Sequence, residues 1–529
     1  MDTVIRGGFV VDGTGTPHRQ ADVGVHGGAV AAVGDLAHVE GARVLDAAGL
    51  IVAPGFVDIH SHSDFTLLAD PRAQSAITQG VTTEVIGNCG HGCAPLGSAG
   101  DDAARFVGNI YGYRPGTPLN WTSVAGYLDA LDAARPAVNV VPLVPNGNLR
   151  LIALGGDTGR AATPDETRGM VRLLETGLAE GAFGYSTGLE YPAERAATRD
   201  EIAALCRVVA RKDGLYTTHT RNRDATAVAA VAEAIETAAD AGVRLHISHI
   251  IPRRGGPPDA NAQAIGLVEA ARRRGQDVTF DSHTRLFGIT NLSAALPPWA
   301  SAGNPADIAA RLRDPAARAA IKQAPSIISS FAIGGWENVV LYTSRRCPDL
   351  VGRDFASLAS SGGDPWDAVL DVLRAEADDL HGPLVICRSY DEDELRDTFA
   401  HPCCTVGSDA TTLGRDGPLA GATFPPAFSW AAWFFRRFVR ERGTFTLEAA
   451  VQKLTAAPAD RIGLADRGRL VVGARADIAV FDAATFGERG TLESPNEFAA
   501  GMRHVLVNGA VTLENGAFTG ARGGAVLRH

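Results

Sequence analysis

Short apolar runs, each cut off by glycine or a polar turn, mark both ends of the chain. Residues 1 to about 52 pass through Val4-Ile5, Phe9-Val10-Val11, Val23-Gly24-Val25 and 29–33, broken at Gly7-Gly8, Asp12-Gly13 and Gly27-Gly28. From about Gly468 the style returns, with Arg469-Leu470-Val471-Val472, then 477–481, then Val505-Leu506-Val507-Asn508-Gly509. Closely spaced strands punctuated by glycine predict a small β-structure, and both ends are expected to build one β-sandwich domain, 1–54 with 466–529. The middle, 55–465, alternates instead. Candidate strands fall at 56–59, 82–86, 138–144, 183–186, 215–218, 244–248, 277–280 and 404–407, with amphipathic stretches at 165–179, 199–212, 225–241 and 260–274. Strands alternating with helices in this number predict an α/β fold, a (β/α)8 TIM-like barrel whose site lies at the C-terminal strand ends. The run 427–442, carrying Trp430, Trp433, Phe434, Phe435 and Phe438, predicts the last barrel helix with an aromatic face on the core. Irregular insertions near 91–125 and 296–400 are expected to form lids or substrate pockets.

Residue types that bind metals recur where these strands end. The first ends in Asp58-Ile59-His60-Ser61-His62, and residues i and i+2 of an extended strand face the same way, so both imidazoles can reach one ion. The second ends in Gly87-Asn88-Cys89-Gly90, the fifth in Thr217-Thr218-His219, the sixth in Leu245-His246-Ile247-Ser248-His249 and the eighth in Val406-Gly407-Ser408-Asp409. Singly, each has a plain structural reading: Cys89 as a small core residue, His219 or His246 as a satisfied buried histidine, Asp409 as a helix cap. Five ligand-bearing ends out of eight favour a common site. His246 lies three residues before His249 and is expected to face away, leaving His249 as the ligand. A thiolate with imidazoles selects zinc over magnesium or calcium. Asp409 beside such an ion is placed to take the proton of zinc-activated water, whose pKa falls from about 15.7 to roughly 7. The chemistry suits hydrolysis at a carbonyl centre.

Composition narrows the partners. Of 529 residues, 45% are hydrophobic and 21% charged, as in a globular protein, and the net charge of −11 argues against nucleic acid. Seven scattered cysteines, an odd number, read as reduced thiols rather than a disulfide framework. The N-terminus lacks a basic-then-apolar signal, and no apolar run is long enough to span a membrane, so a cytoplasmic protein with a small-molecule substrate is expected. Nothing in the composition indicates the oligomeric state.

The chain resembles the amidohydrolase superfamily, and within it the N-acyl-D-amino-acid deacylases (D-aminoacylases). The resemblance rests on Val4-Ile5-Arg6-Gly7-Gly8, Pro54-Gly55-Phe56-Val57-Asp58-Ile59-His60-Ser61-His62, Gly80-Val81-Thr82-Thr83 and Gly87-Asn88-Cys89-Gly90. It continues through Ser186-Thr187-Gly188-Leu189-Glu190-Tyr191, Ile247-Ser248-His249, Gly407-Ser408-Asp409 and Ala476-Asp477-Ile478-Ala479-Val480-Phe481-Asp482. It implies a tight zinc on Cys89, His219 and His249, a weaker second site on His60, His62 and Asp409, and Asp409 as general base and acid. Related hydantoinases and dihydroorotases bridge two metals through a carboxylated lysine on strand four. None of the chain's lysines, Lys212, Lys322 and Lys453, lies there.

The substrate side departs from that family. His249-Ile250-Ile251 stands where relatives often read His-His-Lys, and Asp281-Ser282-His283-Thr284-Arg285 where they read Asp-x-Tyr-Pro-Tyr. His219-Thr220-Arg221-Asn222-Arg223 replaces His-x-Arg-x-Glu, and Gly417-Pro418-Leu419 replaces His-Pro-Arg. Tyr191, Arg221, Arg223 and Arg285 are the expected substrate-binding residues, with Arg285 either a bidentate anchor for a carboxylate, or a solvated loop residue or partner of a protein acid such as Asp281. The expected activity is hydrolysis of an N-acyl (D-)amino acid. Hydrolysis of another amide, cyclic amide or ester, or a non-catalytic zinc barrel, stay open as alternatives.

Overall fold

The computed structural model describes residues 1–39, 42–97, 119–359, 362–380 and 382–529. Both chain ends contribute to one nine-stranded sheet. Ile51–Pro54 is its join, running parallel to Thr3–Val10 and antiparallel to Ile478–Phe481. Ile5, Val23, Leu45, Val52, Ile478, Val480 and Leu506 form a core of their own beneath it.

The middle of the chain is α/β. Its parallel strands are, in order, Phe56–Asp58, Val81–Ile86, Asn139–Pro142 continuing as Val144–Pro145, Gly184–Gly188, Leu215–His219, Arg244–Ile247, Val278–His283 and Cys404–Gly407. Each pairs with the next in parallel register. The last meets the first again: Ser61 bridges Ala410 in parallel, Asp409 N donates to His60 O at 2.8 Å, and His62 N donates to Ala410 O at 2.8 Å. Every residue of Val81–Ile86, Gly184–Gly188 and Leu215–His219 is buried, as parallel strands covered on both faces require. Between the strands run Pro164–Ala179, Arg199–Arg211, Ala227–Ala241 and Ala260–Arg273, each with one apolar face on the strands. The first of these starts at a Thr163/Glu166 capping box with Pro164 in its first turn.

Two expectations change. The run 427–442 is an α-helix, Pro426–Phe434, followed by a π-helical turn, Phe435–Glu441, whose rings meet Phe399, Phe481 and Phe486. The helices lying against both the eighth and the first strand are Leu447–Leu454, which buries Ala450, Val451 and Leu454, and Ala456–Ile462. The stretch 296–400 is not irregular. It holds short helices on an antiparallel sheet of Gly288–Asn291, Leu384–Cys387 and Val339–Thr343, around Leu292, Ile328, Leu341, Val369 and Leu373. Of the other expected insertion, 98–118 lies outside the described residues. No helix among the described residues is long and apolar enough to cross a membrane.

The nine-stranded sheet is tied to the parallel strands through Asp477. Its carboxylate accepts from Asn139 Nδ2 (3.0 Å) and Asn508 N (2.7 Å) and pairs with buried Arg467, while its carbonyl accepts from Gly55 N (2.8 Å). Asp477→Ala leaves the Arg467 guanidinium buried without its partner, a loss of about 3–5 kcal/mol. The expected result is a clear drop in the chemical-denaturation midpoint; an unchanged midpoint would show that this junction is not needed.

Candidate metal centre and active site

The return of the eighth strand to the first puts His60, His62 and Asp409 side by side. His62 Nε2 lies 3.3 Å and His60 Nε2 3.6 Å from Asp409 Oδ1. Gly407 permits this approach, since a Cβ there would stand 2.8 Å from His60 Cβ. The loop after the second strand brings Cys89 Sγ to 3.1 Å from His60 Nε2 and 3.6 Å from His249 Nε2. Gly188 is required at the same spot, because a Cβ on it would lie 2.1 Å from Cys89 O. Three donor sets result: His60/His62/Cys89, Cys89/His219/His249 and His60/His249/Asp409, the atoms of each within 4.8 Å of one another.

Cys89, His249 and Asp409 all have left-handed backbone, with φ of +53°, +35° and +45°. Such conformations cost of order 1–3 kcal/mol each and persist where surrounding structure enforces them. At His249 the effect is decisive. The turn leaves its ring on the donor cluster at Cys89, apart from the His246 ring as expected, and it is the His249 backbone N that meets Asp281. Asp281 Oδ1 accepts from His249 N (2.7 Å), while Oδ2 faces His246 Nε2 (3.1 Å) and His60 Nδ1 (3.0 Å). His246 is nevertheless in none of the donor sets.

Two orienting acids were not singled out from the sequence. Asp281 holds the His60 ring, and Glu190 Oε2 lies 2.8 Å from His219 Nε2. Glu190 also pairs with Arg253, itself 3.4 Å from Asp224. A carboxylate behind an imidazole is the usual support for a metal-binding histidine. The available signal was an acid directly at a strand end, in Phe280-Asp281 and Leu189-Glu190.

These pairings set protonation. Burial lowers His219 to about 4, overriding the pull of Glu190, whose charge Arg253 already balances. Burial, then the Arg223 charge, holds His249 well below the usual imidazole range. Burial works against a charged His60, yet Asp281 and Cys89 hold it well above that range. For Asp409 burial opposes ionisation, and Arg285 foremost keeps the carboxyl well below its usual value.

A cavity of about 670 Å³ opens over the donors. His91, Tyr191, His219, Arg223, His249, Arg285 and Asp409 line its floor, and Ile289, Leu296, Ile327, Phe331, Leu380 and Phe424 form an apolar wall. Tyr191 OH stands 3.3 Å from His219 Nδ1. Arg223 is buried, donates from Nη2 to Ile251 O at 3.1 Å, and has an Nε with no hydrogen-bond partner. Of the expected substrate-binding arginines, Arg221 lies elsewhere. Arg221 points away from the cavity, onto Glu233 and the carbonyls of Arg195 and Ala197. Arg285 lines the cavity and is paired with the protein's own acid, reaching Asp409 Oδ2 at 2.5 Å.

This architecture and donor set belong to a known class of hydrolase. The chain belongs to the amidohydrolase family, whose model matches residues 43–321 and 408–513, and within it to the N-acyl-D-amino-acid deacylases. It is 36% identical to an N-acyl-D-glutamate deacylase of Alcaligenes xylosoxydans xylosoxydans, over 100% of this chain and 96% of the relative. The crystal structure of N-acyl-D-glutamate deacylase from Bordetella bronchiseptica, complexed with zinc and a phosphonate mimic of the tetrahedral intermediate, superposes with TM-score 0.81 at 33% identity over 100% of both chains. A D-aminoacylase with a binuclear metal centre, activated by one metal and attenuated by the second, superposes with TM-score 0.81 at 32% identity over 100% of both chains.

The donor sets predict uptake of a thiophilic divalent ion. Cobalt(II), used as a spectroscopic probe, should give a near-ultraviolet thiolate-to-metal charge-transfer band in the wild type. Cys89→Ser should abolish that band while the far-ultraviolet circular dichroism stays native; a band that survives would move the thiolate ligand to another cysteine.

Proposed function

We propose that the chain is a zinc-dependent amidohydrolase that cleaves the amide of an N-acyl-D-amino acid, releasing the free amino acid and a carboxylate. One observation carries this reading: six metal-ligand side chains converge in overlapping sets, and three of them, His219, His249 and Asp409, line the floor of a single cavity. The parallel strands are read as a closed (β/α)8 barrel over 55–465, supported by the hydrogen bonds joining its last strand to its first. The nine-stranded sheet, from 1–54 and 466–529, is read as the small β-sandwich domain.

The residues fit the metal. A buried thiol, imidazoles and a carboxylate are a zinc donor set, and His249 Nδ1 is a buried ring atom with no hydrogen-bond partner among the described residues. Cys89, His219 and His249 would hold the tight zinc; His60, His62 and Asp409 would form a weaker second position. When bound, zinc polarises the amide carbonyl and makes hydroxide available at neutral pH. Asp409 Oδ1 faces the histidines while Oδ2 is held by Arg285, so one oxygen is presented to the reaction centre. Asp409 takes the proton of the attacking water as the new C–O bond forms. It then passes that proton to the amide nitrogen as the C–N bond breaks. Asp281 and Glu190 keep His60 and His219 in orientation throughout.

Arg223 is read as the anchor for the substrate's carboxylate. Among the described residues it has no acid within ion-pair distance, and it stands beside His249 where the donors open into the cavity. Its guanidinium is also steadied by Tyr390, 5.6 Å from the ring centroid. The cavity's apolar wall suits an apolar acyl group or side chain.

The test is turnover of paired N-acyl-D- and N-acyl-L-amino acids by zinc-loaded protein. The D series should be hydrolysed, and Asp409→Asn should lower turnover at least ~100-fold with tightly bound zinc retained. No turnover in either series, or near-native turnover in Asp409→Asn, would refute the assignment. Arg223→Met should cost about 2–5 kcal/mol in apparent transition-state binding of a free-acid substrate. The corresponding C-terminal amide should be far less affected; equal losses would show that Arg223 reads no carboxylate.

A further inference from the structure

Arg285 is immobilised against Asp409, the carboxylate of the donor sets. Its Nε donates to Phe287 O (3.1 Å), Nη1 to Ser408 O (2.7 Å) and Nη2 to Asp409 Oδ2 (2.5 Å). The Phe424 ring centroid lies 6.0 Å from the guanidinium carbon, and the side chain is 7% exposed. A guanidinium stays charged at any working pH, so this is a permanent cation that the protein holds in place. The other oxygen of the same carboxylate faces His62 and His60, at 3.3 and 3.6 Å. The two ends of the donor cluster therefore differ. Among the described residues no arginine is bonded to a ligand atom of Cys89, His219 or His249, whereas Asp409, the carboxylate in reach of both His60 Nε2 and His62 Nε2, already carries one.

We infer that Arg285 guards the second metal position: it occupies Asp409 as a built-in counter-cation, so that the centre works with one zinc and disfavours another. This inference rests on the zinc reading above. Two cations sharing one carboxylate repel each other, and the repulsion is strong where water is excluded. Arg285 has no free path of retreat, because its remaining nitrogens are bonded to backbone carbonyls. A second ion must either bind against that charge or strip the guanidinium of its carboxylate and leave it buried and unpaired. In the D-aminoacylase with a binuclear centre the second metal attenuates activity. A chain guarded in this way keeps working when zinc is abundant, and Asp409 Oδ1 stays open for proton transfer.

Chelator-stripped protein is titrated with zinc alone and bound metal counted after equilibrium dialysis, for wild type, Arg285→Gln and Arg285→Lys. Wild type should hold one zinc per chain and take a second only weakly. Arg285→Gln should keep the first zinc and bind the second at least ~10-fold more tightly. Its turnover should fall at correspondingly lower zinc concentrations. Arg285→Lys, which keeps the charge, should stay near wild type. An unchanged second affinity in Arg285→Gln, or a lysine variant that behaves like the glutamine one, would overturn the proposal. Wild-type stoichiometry decides independently of how the variants fold: two zinc ions retained after dialysis would also overturn it. Absence of any tight zinc is a different result, and refutes the zinc reading itself.

Discussion

The meeting of the last parallel strand with the first is the constraint on which this site depends. Residues 347 apart in sequence, His62 and Asp409, come within 3.3 Å because two backbone hydrogen bonds align their strand ends. Asp58 reinforces the seam, accepting from Ser408 N at 3.0 Å and His60 N at 3.2 Å. Burial, with the charge of Glu84 nearby, pushes the Asp58 carboxyl up to about 8. The seam thus contains a buried acid that is useful only while both strands supply its donors. Were the strands to separate, the histidine pair would lose its carboxylate and Asp58 its partners together.

Around the seam, each charged acid is matched before any ligand arrives. Glu190 is matched by Arg253, Asp281 by His60 and His246, and Asp409 by Arg285. Breaking one partner from such a buried pair is expensive, which keeps the imidazoles in one orientation. Left-handed backbone at Cys89, His249 and Asp409 adds strain that this network has to hold. Rigidity here serves chemistry, since a reacting group displaced by an ångström loses much of its effect.

The substrate side is built on different elements. Gly288–Asn291, Leu384–Cys387 and Val339–Thr343, with their helices, carry a separate core and lend Ile289, Leu296, Ile327, Phe331 and Leu380 to the cavity wall. Arg223 is the one buried guanidinium on the cavity floor that is not committed to an acid among the described residues. The apolar wall and the donors are therefore supported by different elements, while Arg223 follows closely on the strand that carries His219.

The alternation of apolar strands and amphipathic helices was legible without coordinates, because side-chain direction along a strand or helix is a local property. So was the placing of His60, His62, Cys89, His219 and Asp409 at strand ends, and the structure brings these together with His249. Parity along the sixth strand separated the His249 ring, which joins the donors, from that of His246, but it could not show that Asp281 holds both the His246 ring and the His249 backbone N. Local rules failed for 296–400, whose short segments bury apolar surface largely against one another, and for the aromatic run 427–442, whose partner Phe481 lies in the C-terminal sheet. Above all, sequence could not assign the arginines. Arg221, Arg223, Arg253 and Arg285 are chemically alike and lie near strand ends alike. Which one finds Glu233, Glu190 or Asp409, and which is left facing the cavity, depends on distances between segments far apart in the chain, and only the folded structure sets those.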